Sequence, residues 1–448
     1  MYLIHIYKAH LYKTFTLALP VIIGQLGFMM MGVVDSVMVG QLGAVPLAAS
    51  ALGSSITILI FIIGLGNSIA VTPLVAILVG ARRFEESETY FKQSLVINFF
   101  LSLIICLATF SASFFITAMN QPPDVIPFAE SYTRILAFSA IPMMIFQTYK
   151  QFIEGYSIMR PAMIVAISAN LVNAFSNWVL IYGNLGFPAY GLDGAGYATL
   201  ISRTFMALVI MFYVVKSTHF VQFDLSLKVK KLNYPVIKKI LSLGIPSGFQ
   251  YFFETGAFVF AIIMVGWIGA NEQAAHQIAI NLASISFMIA IGISHAGSIR
   301  VGNAVGGQNI SEIRRSGFIA SFLGGAIMMF AGIVFISFNK FLPSLYVNDA
   351  AVIEIASVLL IIAAFFQIAD GVQAVGIGIL RGLTDVKGPT LITFIAYWVI
   401  GLPSGYLLAF IFDLGVEGIW IGLSIGLFCS AIFLTLRFNY KSRHPVTI

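Results

Sequence analysis

Twelve apolar stretches, each long enough to cross a lipid bilayer as a helix, follow one another along this chain. They fall near residues 14–39, 47–80, 93–119, 133–156, 161–184, 190–215, 238–269, 274–305, 316–338, 353–379, 389–412 and 415–437. A membrane helix needs about 20 apolar residues, and within lipid only segments that satisfy their own backbone polar groups are viable. These stretches and their short connectors use up the 448 residues and leave no room for a water-soluble domain. Charged residues make up 9% of the chain, against about 25% in soluble domains, too few to cover a wet surface. The fold class is therefore an all-α membrane protein with twelve transmembrane helices. The second and eighth stretches exceed a bilayer's thickness, which predicts tilt, bending or extension past the interface. The segment before the first stretch, Met1–Lys13, has no small-residue cleavage pattern, and the apolar run behind it is too long for a signal peptide. The first helix is expected to remain.

Charge assigns the two sides. Connections after the even-numbered helices, together with both termini, carry the bases: Arg82, Arg83, Lys150, Arg160, Lys228, Lys230, Lys231, Lys238, Lys239, Arg314, Arg315, Arg381 and Lys387, with Lys8, Lys13, Arg437, Lys441 and Arg443 at the ends. The other connections carry Asp124, Glu130, Asp193, Glu272, Asp349, Glu354, Asp413 and Glu417. Cytoplasmic loops carry the Lys/Arg excess, so both termini are expected in the cytoplasm of a cell (inner or plasma) membrane protein. The net charge of +6 is this loop bias and does not point to nucleic acid. Cys106 and Cys429 lie far apart in apolar stretches and read as small buried hydrophobes.

The longest polar segment, Lys216 to Lys239, divides the chain near its middle. It sets the expected organisation: residues 1–220 as an N-terminal six-helix lobe, 221–240 as a cytoplasmic linker, and 241–448 as a C-terminal six-helix lobe. The two halves also repeat. At an offset of 226 residues Pro20 meets Pro246, Val39-Gly40 meets Val265-Gly266, Gly43-Ala44 meets Gly269-Ala270, Ala48-Ala49 meets Ala274-Ala275, Gly66 meets Gly292, and Val79-Gly80 meets Val305-Gly306. Later segments echo with small shifts: Gly155 to Pro161 resembles Gly382 to Pro389, and Gly191 to Gly194 resembles Gly415 to Gly418. Gapless matching of Gly and Pro is more than hydrophobic coincidence. Six helices per half give both halves one orientation, so they are expected to be related by a pseudo-two-fold axis along the membrane normal, with the substrate path between them.

Three carboxylates, Asp35, Glu254 and Asp370, stand inside apolar stretches. An acid near the bilayer centre costs roughly 2.5–3.5 kcal/mol on the insertion scale, and its default reading is an ion or substrate pathway. In the repeat, position 254 corresponds to Phe28, and Asp35 lies seven residues further on. Seven residues are two turns, on nearly the same face and about 10 Å along the axis. Asp35 and Glu254 therefore occupy equivalent helices without being equivalent residues.

The run from Pro20 to Asp35-Ser-Val-Met-Val-Gly40, the segment Arg300-Val-Gly-Asn-Ala-Val-Gly306, and Leu380-Arg-Gly-Leu-Thr-Asp385 with Pro389 together resemble the multidrug and toxic compound extrusion (MATE) family. Glu254 and Asp370 favour its NorM-type bacterial branch. The resemblance runs from about residue 10 to 437. It implies two six-helix lobes around a cleft that opens alternately to either side, and export of organic, often cationic compounds in exchange for Na+ or H+. It implies a cation site at Asp35, Asn173, Asn177 and Thr199 in the amino half, and coupling acids at Glu254 and Asp370 in the carboxy half, with Na+ as the metal either site would take. A tyrosine found in some relatives on the eighth helix corresponds here to Phe287, a cleft aromatic without a hydroxyl.

The chemistry suits such a site. Asn173 and Asn177 are four apart and share a helix face, and amide and hydroxyl oxygens coordinate hard cations while Asp35 supplies charge. The blander reading is that these amides join helices by hydrogen bonds. Pro20, upstream of Asp35, frees a backbone carbonyl; it reads as a hinge, or as a static kink. The two glycine pairs Gly64/Gly66 and Gly376/Gly378 lack a phosphate-loop sequel and read as close helix packing. His276 and His295 lack ligand spacing and read as hydrogen-bonded. Arg203 and Arg300 read as residues that fix helix ends or pair with carbonyls. Asn309-Ile310-Ser311 spells a glycosylation sequon on the side where it is not used. No nucleotide site, cofactor or catalytic constellation is visible, so the expectation is a non-enzymatic secondary transporter acting as a monomer on small organic cations or drugs. The rival is a lipid-linked oligosaccharide flippase of related architecture, which needs a basic cavity to hold phosphate.

Overall fold

A computed structural model describes residues 2–119, 121–220, 223–225 and 231–443, with only the backbone described for residues 2–6. Among these residues eleven helices are long and apolar enough to span a membrane. We label the spans α1 (Tyr7–Gly40), α2 (Ala44–Gly80), α3 (Phe84–Ser113), α5 (Arg160–Tyr182), α6 (Leu192–Lys216), α7 (Tyr234–Gly266), α8 (Ala270–Gly306), α9 (Ile310–Ser337), α10 (Ala350–Gly382), α11 (Lys387–Ile411) and α12 (Gly415–Lys441). The remaining stretch, α4, is built of two pieces, Ile126–Phe138 and Ala140–Gly155.

Proline explains the interruptions. Pro142 has no N–H for the carbonyl of Phe138 and its ring crowds that carbonyl, so α4 breaks at Ser139. Pro73 does the same to the carbonyl of Ile69, and α2 breaks at Ala70. The eighth stretch, expected to be similarly long, is a single helix of 37 residues. In α11, Pro403 cannot donate to Val399; the helix there passes through wider π turns at Ile395–Gly401 and Leu407–Ile411.

The chain packs as two compact units. The carboxy unit comprises Met1–Ile22, Ala76–Arg82 and Phe249–Ile448; the amino unit comprises Ile23–Val75 and Arg83–Gly248. Membership thus changes partway along α1, α2 and α7 as well as at the turn before α3. Three of these changes come two residues after a proline: Pro20, Pro73 and Pro246. The core of the carboxy unit gathers Trp420, Tyr397, Leu427, Leu359 and Ala261. That of the amino unit gathers Tyr132, Leu136, Ile181 and Ala195.

The backbone repeats as the sequence does. Residues in the left-handed region recur at matching places: Arg82 (φ 59°) and Gln308 (φ 54°), Ser157 (φ 64°) and Thr384 (φ 59°), and Gly191 (φ 55°) and Gly415 (φ 57°). Non-glycine residues rarely adopt this conformation. Its recurrence at two non-glycine pairs shows that the same turns were built twice.

Several charges sit differently from their assignment to connections. Lys150 lies inside α4 and Arg381 inside α10, and both are buried. Lys228 and Lys230 lie outside the described residues. The described part of the linker is docked on the amino unit. Lys92 donates to Asp224 at 2.8 Å, Tyr149 to the Leu225 carbonyl at 3.0 Å, and Gln93 to the Lys231 carbonyl at 2.9 Å. Phe220 is buried against Phe152 and Tyr156.

Glycines set the closest approaches. A Cβ on Gly66 would lie 2.2 Å from Cα of Gly248, backbone against backbone, so the α2–α7 contact within the amino unit requires a residue without a side chain. A Cβ on Gly32 would meet open space. Gly66→Ala is therefore expected to lose roughly 1–3 kcal/mol of stability, while Gly32→Ala loses none. Thermal unfolding of the two purified variants in detergent checks the contrast; equal melting points would refute the packing argument.

Candidate functional site

Asp35 sits in the second half of α1, inside the amino unit, facing α5 and α6. Asn177 Nδ2 donates to Asp35 Oδ1 at 2.6 Å and lies 3.3 Å from Asn173 Oδ1; Thr199 Oγ1 donates to Asp35 Oδ2 at 3.4 Å. The four residues implied by the resemblance are thus one cluster. The four-residue spacing brings both amides to one face of α5, and both are completely buried. Two of their polar atoms, Asn177 Oδ1 and Asn173 Nδ2, have no hydrogen-bond partner. Burying an unpaired amide oxygen is costly. A hard cation is a chemically apt partner for that oxygen, since it binds carboxylate, amide and hydroxyl oxygens together. The donor set therefore fits Na+.

The cluster borders a cavity of about 230 Å³, which also meets Ser54, Thr57, Phe61, Tyr132 and Arg203. The structure corrects the expectation that Arg203 fixes a helix end or pairs with carbonyls. Its Nη1 donates to Ser139 Oγ at 2.7 Å and its guanidinium lies 5.2 Å from the centre of the Phe61 ring. Ser139 is the fully buried residue at the α4 break. Arg203 stands four residues from Thr199, one turn along the same face of α6, and that spacing was the available signal. Phe28, the repeat counterpart of Glu254, lines the same cavity, and Lys150 Nζ lies 5.5 Å from the centre of its ring. An aromatic face stabilises such a cation electrostatically. Lys150 also lies 3.8 Å from Glu154.

Glu254 on α7 and Asp370 on α10 are both buried, and both line a second cavity, of about 220 Å³, inside the carboxy unit. Phe287 is on its wall, as are Tyr251, Phe258 and Phe366. A ligand there meets two acids and several ring faces, a combination that attracts an organic cation. Gln373 Nε2 donates to Glu254 Oε1 at 3.1 Å and to Tyr397 Oη at 2.8 Å. Neither Gln373 nor Tyr397 was singled out from the sequence. Gln373 lies three residues from Asp370, a spacing that signals a shared face. Tyr397 gave no such signal, because it sits in the first π turn of α11. The three acids are thus distributed over two cavities, one within each unit.

Other side chains are accounted for locally. Trp420 Nε1 donates to His276 Nδ1 at 3.0 Å. Arg300 donates to the His10 carbonyl at 2.9 Å and to Thr14 Oγ1 at 2.6 Å, which is the carbonyl pairing expected of it. Asn309 caps α9, accepting from the Glu312 N–H at 3.0 Å. Pro20 lies inside α1.

Comparison with known proteins agrees with this architecture. The chain is 35% identical over 446 residues to a protein of Mesorhizobium japonicum described as "Probable multidrug resistance protein NorM", covering 98% of this chain and 96% of that one. It is 33% identical over 434 residues to "Multidrug resistance protein MdtK" of Yersinia enterocolitica, covering 96% and 95%. Among solved structures, a MATE transporter in its straight conformation superposes with a TM-score of 0.89 at 21% identity over 97% of each chain. The eukaryotic MATE transporter AtDTX14 superposes with a TM-score of 0.87 at 20% identity over 98% of each. The MatE family profile matches residues 20–179 and again 246–407, and the two matches begin at Pro20 and Pro246, the positions that open the internal repeat. On the duplicated profile match and the near-full-length identity, this multi-pass membrane protein belongs to the MatE family.

Proposed function

We propose that this chain is a secondary active multidrug exporter, which exchanges organic, often cationic compounds for Na+ or H+ by alternating access. The observation that carries the reading is that each unit sets carboxylates on the wall of a cavity of its own: half-buried Asp35 beside a partnerless amide oxygen in one, buried Glu254 with Asp370 among aromatic rings in the other. The descriptions of the relatives as multidrug resistance proteins support it. The halves 1–220 and 241–448 act as the two lobes, joined by residues 221–240, and the protein works as a monomer in the cell membrane with both termini cytoplasmic. Cargo passes chemically unchanged, and the coupling ion is the only accessory species.

Coupling needs no direct contact between drug and ion. It needs the two to prefer different states, or to exclude each other. A cation or proton arriving from outside at Asp35, or at Glu254 and Asp370, neutralises the charge that holds a cationic drug, and the drug leaves outward. Asn177 and Thr199 keep Asp35 oriented while it changes partners, and Gln373 holds Glu254 in the same way. Pro20 and Pro246, each two residues from the point where the chain passes between compact units, are the places where α1 and α7 can bend. One observation favours the flippase reading, the guanidinium of Arg203 in the Asp35 cavity. It is a single base already engaged by Ser139, beside a carboxylate that repels phosphate.

Proteoliposomes with a Na+ gradient or a pH gradient imposed separately test the proposal. Either gradient is expected to drive ethidium efflux by the wild-type protein. Asp35→Asn, Glu254→Gln and Asp370→Asn should each slow it by about tenfold or more; wild-type rates in all three variants would remove the reading, and transport of a lipid-linked saccharide without a gradient would replace it with the rival. Replacing Asn177 with Ala takes away the open amide oxygen offered to Na+ beside Asp35. The Na+ concentration for half-maximal efflux should rise about tenfold in that variant, and an unchanged midpoint would place Na+ elsewhere. If Pro20 is a hinge, Pro20→Ala lowers turnover while drug affinity is retained; unchanged transport would make it a static kink.

A further inference from the structure

Where α1 and α9 begin, a cleft of about 610 Å³ is lined by both helices of the carboxy unit. Its wall is ordered by polarity. Arg314 and Arg315 stand near the first turn of α9, with Tyr7 at the start of α1; Leu11, Phe318 and Phe322 follow along the two helices. Seven residues separate Arg315 from Phe322, about 10 Å along the axis. Both helices are membrane spans. The basic end of the cleft therefore lies at a span's end, at the level of lipid headgroups, and the apolar end lies towards the acyl chains. Phe322 is 68% exposed, so a ring face is presented there for a chain to lie on.

The basic end is built rather than incidental. Arg314 Nη1 donates to the Asn439 carbonyl at 3.1 Å and to Ser442 Oγ at 3.0 Å, and its Nη2 donates to Asn439 Oδ1 at 2.9 Å. Its guanidinium lies 5.3 Å from the centre of the Phe318 ring, which packs edge-on against the buried Phe438. The group is held in place before any ligand arrives, so little ordering cost remains. The neighbouring acid does not cancel the charge. Glu312 is engaged elsewhere, 3.4 Å from Arg300 Nη2 and 3.6 Å from His10 Nε2.

We infer that this cleft binds one anionic phospholipid, with the phosphate at Arg315 and at the remaining donors of Arg314, and an acyl chain along Phe318 and Phe322. Arginine forks suit phosphate oxygens. A zwitterionic lipid brings its own ammonium into a region already rich in bases, so the site selects a headgroup of net negative charge.

The test uses the full-length protein purified in detergent and titrated with phosphatidylglycerol, phosphatidylcholine or glycerol 3-phosphate. Native mass spectrometry counts bound lipids and thermal unfolding follows stability. One phosphatidylglycerol is expected to bind saturably and raise the melting temperature, with phosphatidylcholine at least about fivefold weaker. Arg315→Gln should melt like the wild type without lipid and bind phosphatidylglycerol about fivefold more weakly, the effect of one basic residue on an anionic headgroup. Arg160→Gln, at the start of α5 in the other unit, should bind as the wild type does. Equal binding of the two lipids, full affinity in Arg315→Gln, or an equal loss in Arg160→Gln would overturn the site. Stabilisation by glycerol 3-phosphate as strong as that by the lipid would overturn the assignment of the ligand as a phospholipid.

Discussion

A carboxylate inside a membrane-spanning helix is tolerated only if the protein supplies what water would have supplied. Asp35 shows how this is done. Its oxygens accept from Asn177 and Thr199, which come from two other helices, so the acid, the amide and the hydroxyl hold α1, α5 and α6 in one register. The arrangement is left incomplete: Asn177 Oδ1 and Asn173 Nδ2 remain without partners. Full satisfaction would make the cluster a rigid joint between helices. On the function proposed above, the open acceptor beside the carboxylate is where a cation enters and leaves.

The same constraint explains the prolines. In lipid an unpaired carbonyl is costly, so helix breaks concentrate where neighbouring groups can use them. Ser139, at the α4 break, accepts from Arg203, and Tyr397, in a π turn after Phe394, accepts from Gln373. In both cases an irregular stretch of helix carries the partner of a polar group at a cavity.

This also decides what could be seen in the sequence. The spans were legible because a bilayer demands some twenty apolar residues whatever the tertiary structure does. The repeat was legible because turns constrain their residues strongly, as the paired left-handed positions show. Asp35, Asn173 and Asn177 were legible from polarity out of place and a four-residue spacing. Arg203 was seen but misread, since its partners come from α2 and α4 and nothing near it in sequence names them. Tyr397 was invisible, because in a π turn the ordinary helical spacing no longer tells which face a side chain occupies. Lys150 and Arg381 were misplaced for a related reason: a base near a span's end looks like a loop base until packing buries it.

The two units hold the same turns and different chemistry, and the difference has a physical direction. At the position where α7 carries Glu254, α1 carries Phe28, and a lysine faces that ring at 5.5 Å. The amino unit thus places a ring with a lysine over it where the carboxy unit places an acid. It keeps its own carboxylate two turns away, among amides and a hydroxyl. The carboxy unit sets two acids together among aromatic rings, with a glutamine and a tyrosine behind them. Amide and hydroxyl oxygens around one charge suit a small hard ion, which must replace its hydration shell. Ring faces around two charges suit a large, weakly hydrated organic cation. Backbone geometry resists change because turns and glycine contacts tolerate few residues, whereas a side chain lining a cavity can be exchanged at little cost to the fold. On the function proposed above, duplication followed by such exchanges gives one scaffold two sites of unlike preference, one way for a small ion to be exchanged for a larger cation.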